Sequence, residues 1–264
     1  MSFYTFPLIL AFAMLVHCTD SSAASGGGRE GLLEFALSSV ESGGLELSTQ
    51  EANTFSYGRA KHWSDERADQ YVATYRKLLA FAQSPIESGG MGWSAAGARK
   101  AAITAANDWS MDHLDRYIAV HRKFLPFALM TLEDGGIGLT PEDAEKEALK
   151  AAADWSVERV DRYITVYRKF LPFSLMSTEA GGLGLVARES RNRALFVAAN
   201  WSEEKVDRYI RNYRRFLTFR GLSSDAARAE ALYVAGNWND SQLENFISRH
   251  DGNLCDSSLS REER

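Results

Sequence analysis

Between Ser156 and Leu175 the apolar residues fall at Val160, Tyr163, Ile164, Tyr167, Phe170, Leu171 and Phe173, mostly three or four positions apart. Steps of that size gather apolar side chains on one face of a helix and leave the charged residues between them on the other. Ser156 stands just before the run, where a hydroxyl oxygen can accept an unpaired N–H of the first turn. Gly181-Gly182 closes it. The pair predicts a helix end with Gly181 in the left-handed cap position and Leu183 folding back on the last turn. A shorter helix is signalled by Thr140-Pro141-Glu142-Asp143: a cap, a proline in the first turn and an acid three residues on. It ends at Trp155 after Ala151-Ala152-Ala153, whose small side chains let helices approach closely.

This pair of helices is one copy of a unit. Trp63, Trp109, Trp155 and Trp201 are 46 residues apart, as are the glycine pairs that begin at Gly43, Gly89, Gly135 and Gly181. Lys77, Lys123, Lys169 and Arg215 keep the same register. A fifth copy closes with Trp238, only 37 residues after Trp201, and has lost the Gly-Gly loop. Ser64, Ser110, Ser156, Ser202 and Asn239 follow the tryptophans as helix caps. A helical hairpin cannot close a core alone, but hairpins stacked side by side bury a continuous one. The expected fold is therefore all-α: an α-solenoid of tandem helical hairpins, HEAT- or armadillo-like in size, as a right-handed superhelix or a bundle-like array. Pro126 and Pro172 fall inside the long-helix pattern and predict a kink or a new short helix. The tryptophans are expected as core aromatics at the corner between helices.

Outside the repeats the pattern changes. Residues 7–16, P-L-I-L-A-F-A-M-L-V, are an apolar run of signal-peptide length, with Ser22 and Ala24 placed for cleavage after Ala24. Leu15-Val16-His17-Cys18 offers a second reading, a lipoprotein signal with lipid attached at Cys18, although His17 departs from the small residue expected there. The expected organisation is a signal peptide over 1–24, a flexible linker over 25–30, five related units over 31–250 and a disordered tail over 251–264. Secretion, or residence in the periplasm or cell envelope, follows from that leader.

Composition adds limits rather than chemistry. With 45% hydrophobic and 25% charged residues the chain is an ordinary globular one. A net charge of -5 argues against general nucleic-acid binding. Two cysteines, Cys18 and Cys255, make no disulfide framework or metal-ligand spacing. The histidines His17, His62, His113, His121 and His250 match no metalloenzyme motif, and no nucleotide-binding or nucleophile signature is present. A reaction needs one asymmetric site, and the departures from the repeat at Glu34, Gln70, Trp93 and His113 look scattered.

The candidate surfaces are two. Glu41, Glu87, Glu133 and Glu179 each stand two residues before a glycine pair. A carboxylate at a helix C-terminus opposes the macrodipole, so these four form a candidate interaction edge. Ca²⁺ held by that edge with loop carbonyls is the one metal reading; no cofactor is expected otherwise, since the loop lacks EF-hand spacing. Arg208, Arg211 and Arg215 form a candidate basic face, and Asp161 with Arg168 suggests an Asp–Arg ladder between repeats.

Taken together, these features favour an exported monomer that acts as a protein-binding or scaffold module and meets membrane only through a lipid anchor. The alternatives are a glycan-directed enzyme on a helical toroid and a structural envelope lipoprotein. Intact-mass analysis of the chain from its native host is expected to give a mature form beginning at Ser25. A full-length N-terminus would refute export by cleavage, and a mass fitting diacylated Cys18 would identify the lipoprotein route.

Overall fold

The computed structural model describes residues 28–220 and 225–259, and all secondary structure in them is helical. The expected leader and Cys18 lie outside them. Two compact units divide the chain, Met1–Val72 and Ala73–Arg264, with the division falling inside the third helix. The first unit holds α1 (Arg29–Leu37), α2 (Thr49–Ala60) and the start of α3 (Asp65–Gln83). The second holds the rest of α3, then α4 (Ala95–Asp108), α5 (Met111–Leu129), α6 (Pro141–Asp154) and α7 (Val157–Leu175). It continues with α8 (Ala187–Asn200), α9 (Glu203–Arg220), α10 (Asp225–Asn237) and α11 (Asp240–Leu259). The last of these runs on past residue 250, into the segment assigned to a tail. No described helix is long and apolar enough to cross a membrane.

The caps form where the sequence puts them. The Ser156 hydroxyl accepts from the Arg159 N–H, Ser110 does so from His113, and Asn239 accepts from Gln242 N at 2.9 Å. Ser48 and Glu51 make a reciprocal capping box, and Thr140 caps α6 with Pro141 in its first turn. The short helices end at Trp109, Trp155 and Trp201, each donating its N–H to the carbonyl four residues back. Where the fourth short helix begins, Val186 occupies the cap and offers no side-chain acceptor.

The end of the long helix differs from expectation. It does not run to the glycines. α5 stops at Leu129 and α7 at Leu175, and a tight turn follows before the pair. After Gly181-Gly182 the chain doubles back, and three N–H groups reach the helix it has just left. Leu183 donates to Phe173 O, Gly184 to Met176 O and Leu185 to Ser174 O, at 2.8 to 3.1 Å. Ile137, Gly138 and Leu139 repeat this on α5, and Met91, Gly92 and Trp93 on α3. The returning chain thus satisfies carbonyls that a helix end otherwise leaves open.

Both glycines are required, for different reasons. Gly135 and Gly181 have φ of 80° and 77°, a left-handed conformation costly for other residues. A Cβ on Gly136 or Gly182 would lie 2.2 or 2.3 Å from the carbonyl oxygen of the helix cap, Met130 or Met176. Pro126 and Pro172 leave α5 and α7 unbroken, three residues before their last residues. So near the end, the loss of one N–H does not break the helix.

Neighbouring long helices are joined through aromatic rings. Phe127 meets Tyr167 edge-on at 5.1 Å, and Phe173 meets Tyr213 at 5.4 Å. Tyr167 and Tyr213 donate to the carbonyls of Gly136 and Gly182 in the preceding loop. Arg168 and Arg214 lie over Phe127 and Phe173 and reach the carbonyls of Gly135 and Gly181. The expected Asp–Arg ladder is instead a lysine ladder. Lys77 pairs with Asp115, Lys123 with Asp161, and Lys169 with Asp207 at 2.7 Å; Arg215 pairs with Glu244 in the shortened copy. Arg168 is occupied by the loop, which leaves Asp161 to the lysine of the previous unit.

The corner tryptophans are half-buried rather than enclosed. Trp155 packs on Tyr163 at 5.0 Å, and Arg159 covers its outer side at 4.7 Å.

Gly136→Ala is expected to cost ~1–3 kcal/mol through the clash with the Met130 carbonyl. Gly97→Ala, inside α4 with an ordinary contact to Ser94, is expected to stabilise by ~0.5–1 kcal/mol. Urea midpoints of the two variants check the pair, and equal midpoints would refute the close-approach account.

Candidate functional site

Glu41, Glu87, Glu133 and Glu179 are all exposed. Each stands four residues past the last residue of its long helix, which corrects the premise that drew attention to them. They occupy the turn, Glu87 within a 3-10 turn over Ile86–Ser88, so none opposes the dipole of the long helix from its final turn. Glu179 accepts from the Thr178 hydroxyl at 3.3 Å. Among the described residues, no three His, Cys, Asp or Glu side chains come together to hold a metal ion. On the basic face, Arg211 binds Asp240 at 2.6 Å and Arg215 binds Glu244, so two of its three cations face carboxylates of α11, and Arg208 is half-buried.

A hollow surface of the second unit lies elsewhere, over the short helix α4. Ala98, Ala102, Ala105 and Ala106 are buried and bring α4 close to the long helices. Its outer positions Gly97 and Ala101 are small. What remains is a cavity of about 410 Å³ walled by Leu78, Met91, Trp93, Trp109 and Tyr117, with Lys100 and Thr104 also lining it. Leu78 stands in the register that carries Phe124, Phe170 and Phe216 in the later copies and Leu32 in the first. Trp93 stands where they have Leu139 and Leu185. Its indole N–H donates to Glu145 Oε1 at 2.5 Å, which fixes the ring as a wall.

Trp109 is the corner tryptophan of this copy and packs on Tyr117 at 4.9 Å. Its other neighbour is His113, at 4.6 Å. Arg67, Arg159 and Lys205 hold the His113 register in the other copies and place a cation over Trp63, Trp155 and Trp201. Partial burial and the nearby Arg116 guanidinium lower the His113 pKa. Burial, with Glu145 adding to it, pushes Tyr117 up to about 12, so its phenol stays neutral. These groups give the cavity aromatic walls and a cation, a chemistry suited to holding an apolar group.

Two of the four departures named from the sequence thus meet at one place: Trp93 lines the cavity and His113 backs its corner tryptophan. Glu34 and Gln70 belong to the other unit. Sequence reasoning passed over His121, which replaces the tyrosine of the Tyr167 and Tyr213 register. It is fully buried against Phe81, and among the described residues neither ring nitrogen has a partner at good hydrogen-bond geometry, the Gly89 backbone approaching it only loosely. Burial drives its pKa down to about 4, opposed in part by the Gly89 backbone and aided by Arg122. The signal was available, since a histidine at a tyrosine position breaks the period. The chain matches no known family model, curated protein or solved structure.

His121 folds neutral, so the unfolded chain binds more protons between about pH 4 and the ordinary histidine value. Its term is therefore fully present above ~6.5 and is lost as pH falls toward the folded value, by up to ~3 kcal/mol. His121→Tyr, which installs the residue able to donate to the Gly90 carbonyl, is expected to raise the melting temperature and flatten stability over this range. Thermal melts from pH 4 to 7 check it, and an unchanged pH slope would refute the assignment.

Proposed function

We propose that the helical repeats stack as an α-solenoid and that the chain is a binding module for a protein partner. On this reading the cavity over α4 receives an apolar side chain of that partner, in a chain that works outside the cytosol. The observation that carries it is the convergence of Leu78, Trp93 and the small residues Gly97 and Ala101 on one hollow walled by Trp109 and Tyr117. Large aromatic walls around a hollow of this size are what hot-spot anchors fill. Lys100 is the charged side chain lining it, and it fits an acidic residue beside the anchor.

Ala101→Trp would fill the hollow from a half-buried helical position without disturbing the core face of α4. Panning a phage-displayed library of random linear peptides on the wild-type chain, with Ala101→Trp for counter-selection, is expected to recover peptides carrying an aromatic or aliphatic anchor. Affinity for Ala101→Trp should fall at least about tenfold, or ~1.4 kcal/mol. Circular dichroism controls for folding. Equal binding to a folded Ala101→Trp would refute this site.

A further inference from the structure

The hollow over α4 has counterparts. A cavity of about 420 Å³ over α8 is lined by Leu185, Glu189, Asn192, Arg193 and Phe196. Each of these is the register equivalent, two periods on, of Trp93, Gly97, Lys100, Ala101 and Thr104. A third, of about 390 Å³ over α10, is lined by Phe216, Ala229, Glu230, Tyr233, Val234, Trp238 and Phe246. Once the nine-residue deletion is allowed for, these match Leu78, Lys100, Ala101, Thr104, Ala105, Trp109 and Tyr117. The second, fourth and fifth copies therefore each carry a hollow at the same outer positions of the short helix, those of Lys100, Ala101 and Thr104; the corner tryptophan walls the first and third of them. Phe196 and Tyr233, at one register position, are 57% and 64% exposed beside the latter two.

Resting on the proposed binding role, we propose that the ligand is an extended polypeptide laid across the short helices, with one apolar side chain in each of these three hollows. Three hollows of similar volume in one register suit a chain with repeated anchors rather than one compact molecule. Charge supports the same class. Lys100 lines the first hollow, Glu189 and Arg193 the second and Glu230 the third. The presence of both signs disfavours a polyanion such as nucleic acid and complements a peptide of mixed charge, with an acid beside its first anchor. The long helices α5, α7, α9 and α11 contact one another in succession. Packed helices lie ~8–10 Å apart and an extended chain rises ~3.3 Å per residue, so each repeat spans ~3 residues. The anchors then fall ~6 residues apart between the first two hollows and ~3 between the last two.

The test uses a synthetic peptide taken from the phage selection, with fluorescence anisotropy on the full mature chain and on folded Phe196→Ala and Tyr233→Ala variants. Both substitutions lie on the surface. Each is expected to weaken binding about tenfold, as truncation of an anchor contact does. Shortening the peptide to its first anchor should cost more. If Ala101→Trp abolishes binding while both surface variants bind as wild type, the extended ligand is refuted and the single-anchor reading stands. If all three variants bind as wild type, both readings fall. Sedimentation showing a dimer lost in Phe196→Ala would instead assign the face to a second copy of the chain and overturn the peptide.

Discussion

The structure depends first on how the long helices α3, α5 and α7 end. A helix leaves its last carbonyls unpaired, and here the chain returns to pair them itself. Leu183, Gly184 and Leu185 donate to carbonyls of α7 and its cap, and the same three bonds recur after α3 and α5. The return needs a left-handed residue followed by one with no side chain, because the second passes against the carbonyl of Ser84, Met130 or Met176. This fixes where the next short helix starts. It also exposes two glycine carbonyls to the following long helix, whose Tyr167 or Tyr213 and Arg168 or Arg214 bind them. One loop thus closes its own hairpin and docks the next.

Packing, not the charged ladder, holds the units together. The lysine–carboxylate pairs are mostly exposed, and such pairs are worth ~0–1 kcal/mol each. Aromatic contacts such as Phe127–Tyr167 add ~0.5–1.5 kcal/mol beyond the area they bury, and Phe127 and Tyr167 are almost wholly buried. A long helix shifted by one turn would lose its ladder pairs together with its tyrosine and arginine bonds to the glycine carbonyls.

The helices, their N-caps and the corner tryptophans were legible in the sequence, because each is a local rule read within a few residues. Ser156 caps α7 whatever packs on it. What was not legible depended on contacts between copies. Glu179 seemed to end a helix because the helix was extended to the glycines. The tight turn between Leu175 and Gly181 is set by bonds to a chain that returns later. Asp161 and Arg168 were expected in an Asp–Arg ladder between repeats, and only the packing of α5 against α7 shows that Asp161 takes Lys123 instead. His121 is silent as a histidine until its tyrosine counterparts are seen donating to glycine carbonyls. Trp93 and His113 looked scattered because twenty residues separate them, while Trp109 brings one to the cavity wall and the other behind it.

The positions of one repeat divide into two kinds. The glycine pair, the corner tryptophan and the basic end of the ladder keep their chemistry from copy to copy, and each has a bond or contact that demands it. The positions lining the hollow do not. Ala101 corresponds to Glu147, Arg193 and Glu230, and Thr104 to Lys150, Phe196 and Tyr233. Folding places little demand there, since these side chains lie on the outer face of a helix whose inner face is alanine. The chain thus repeats its helical unit while varying one outward register of the short helix, so each copy presents a different chemistry there. Under the binding role proposed above, that variation is what tells one part of a ligand from the next; the Glu179 row and the lysine ladder repeat nearly the same group.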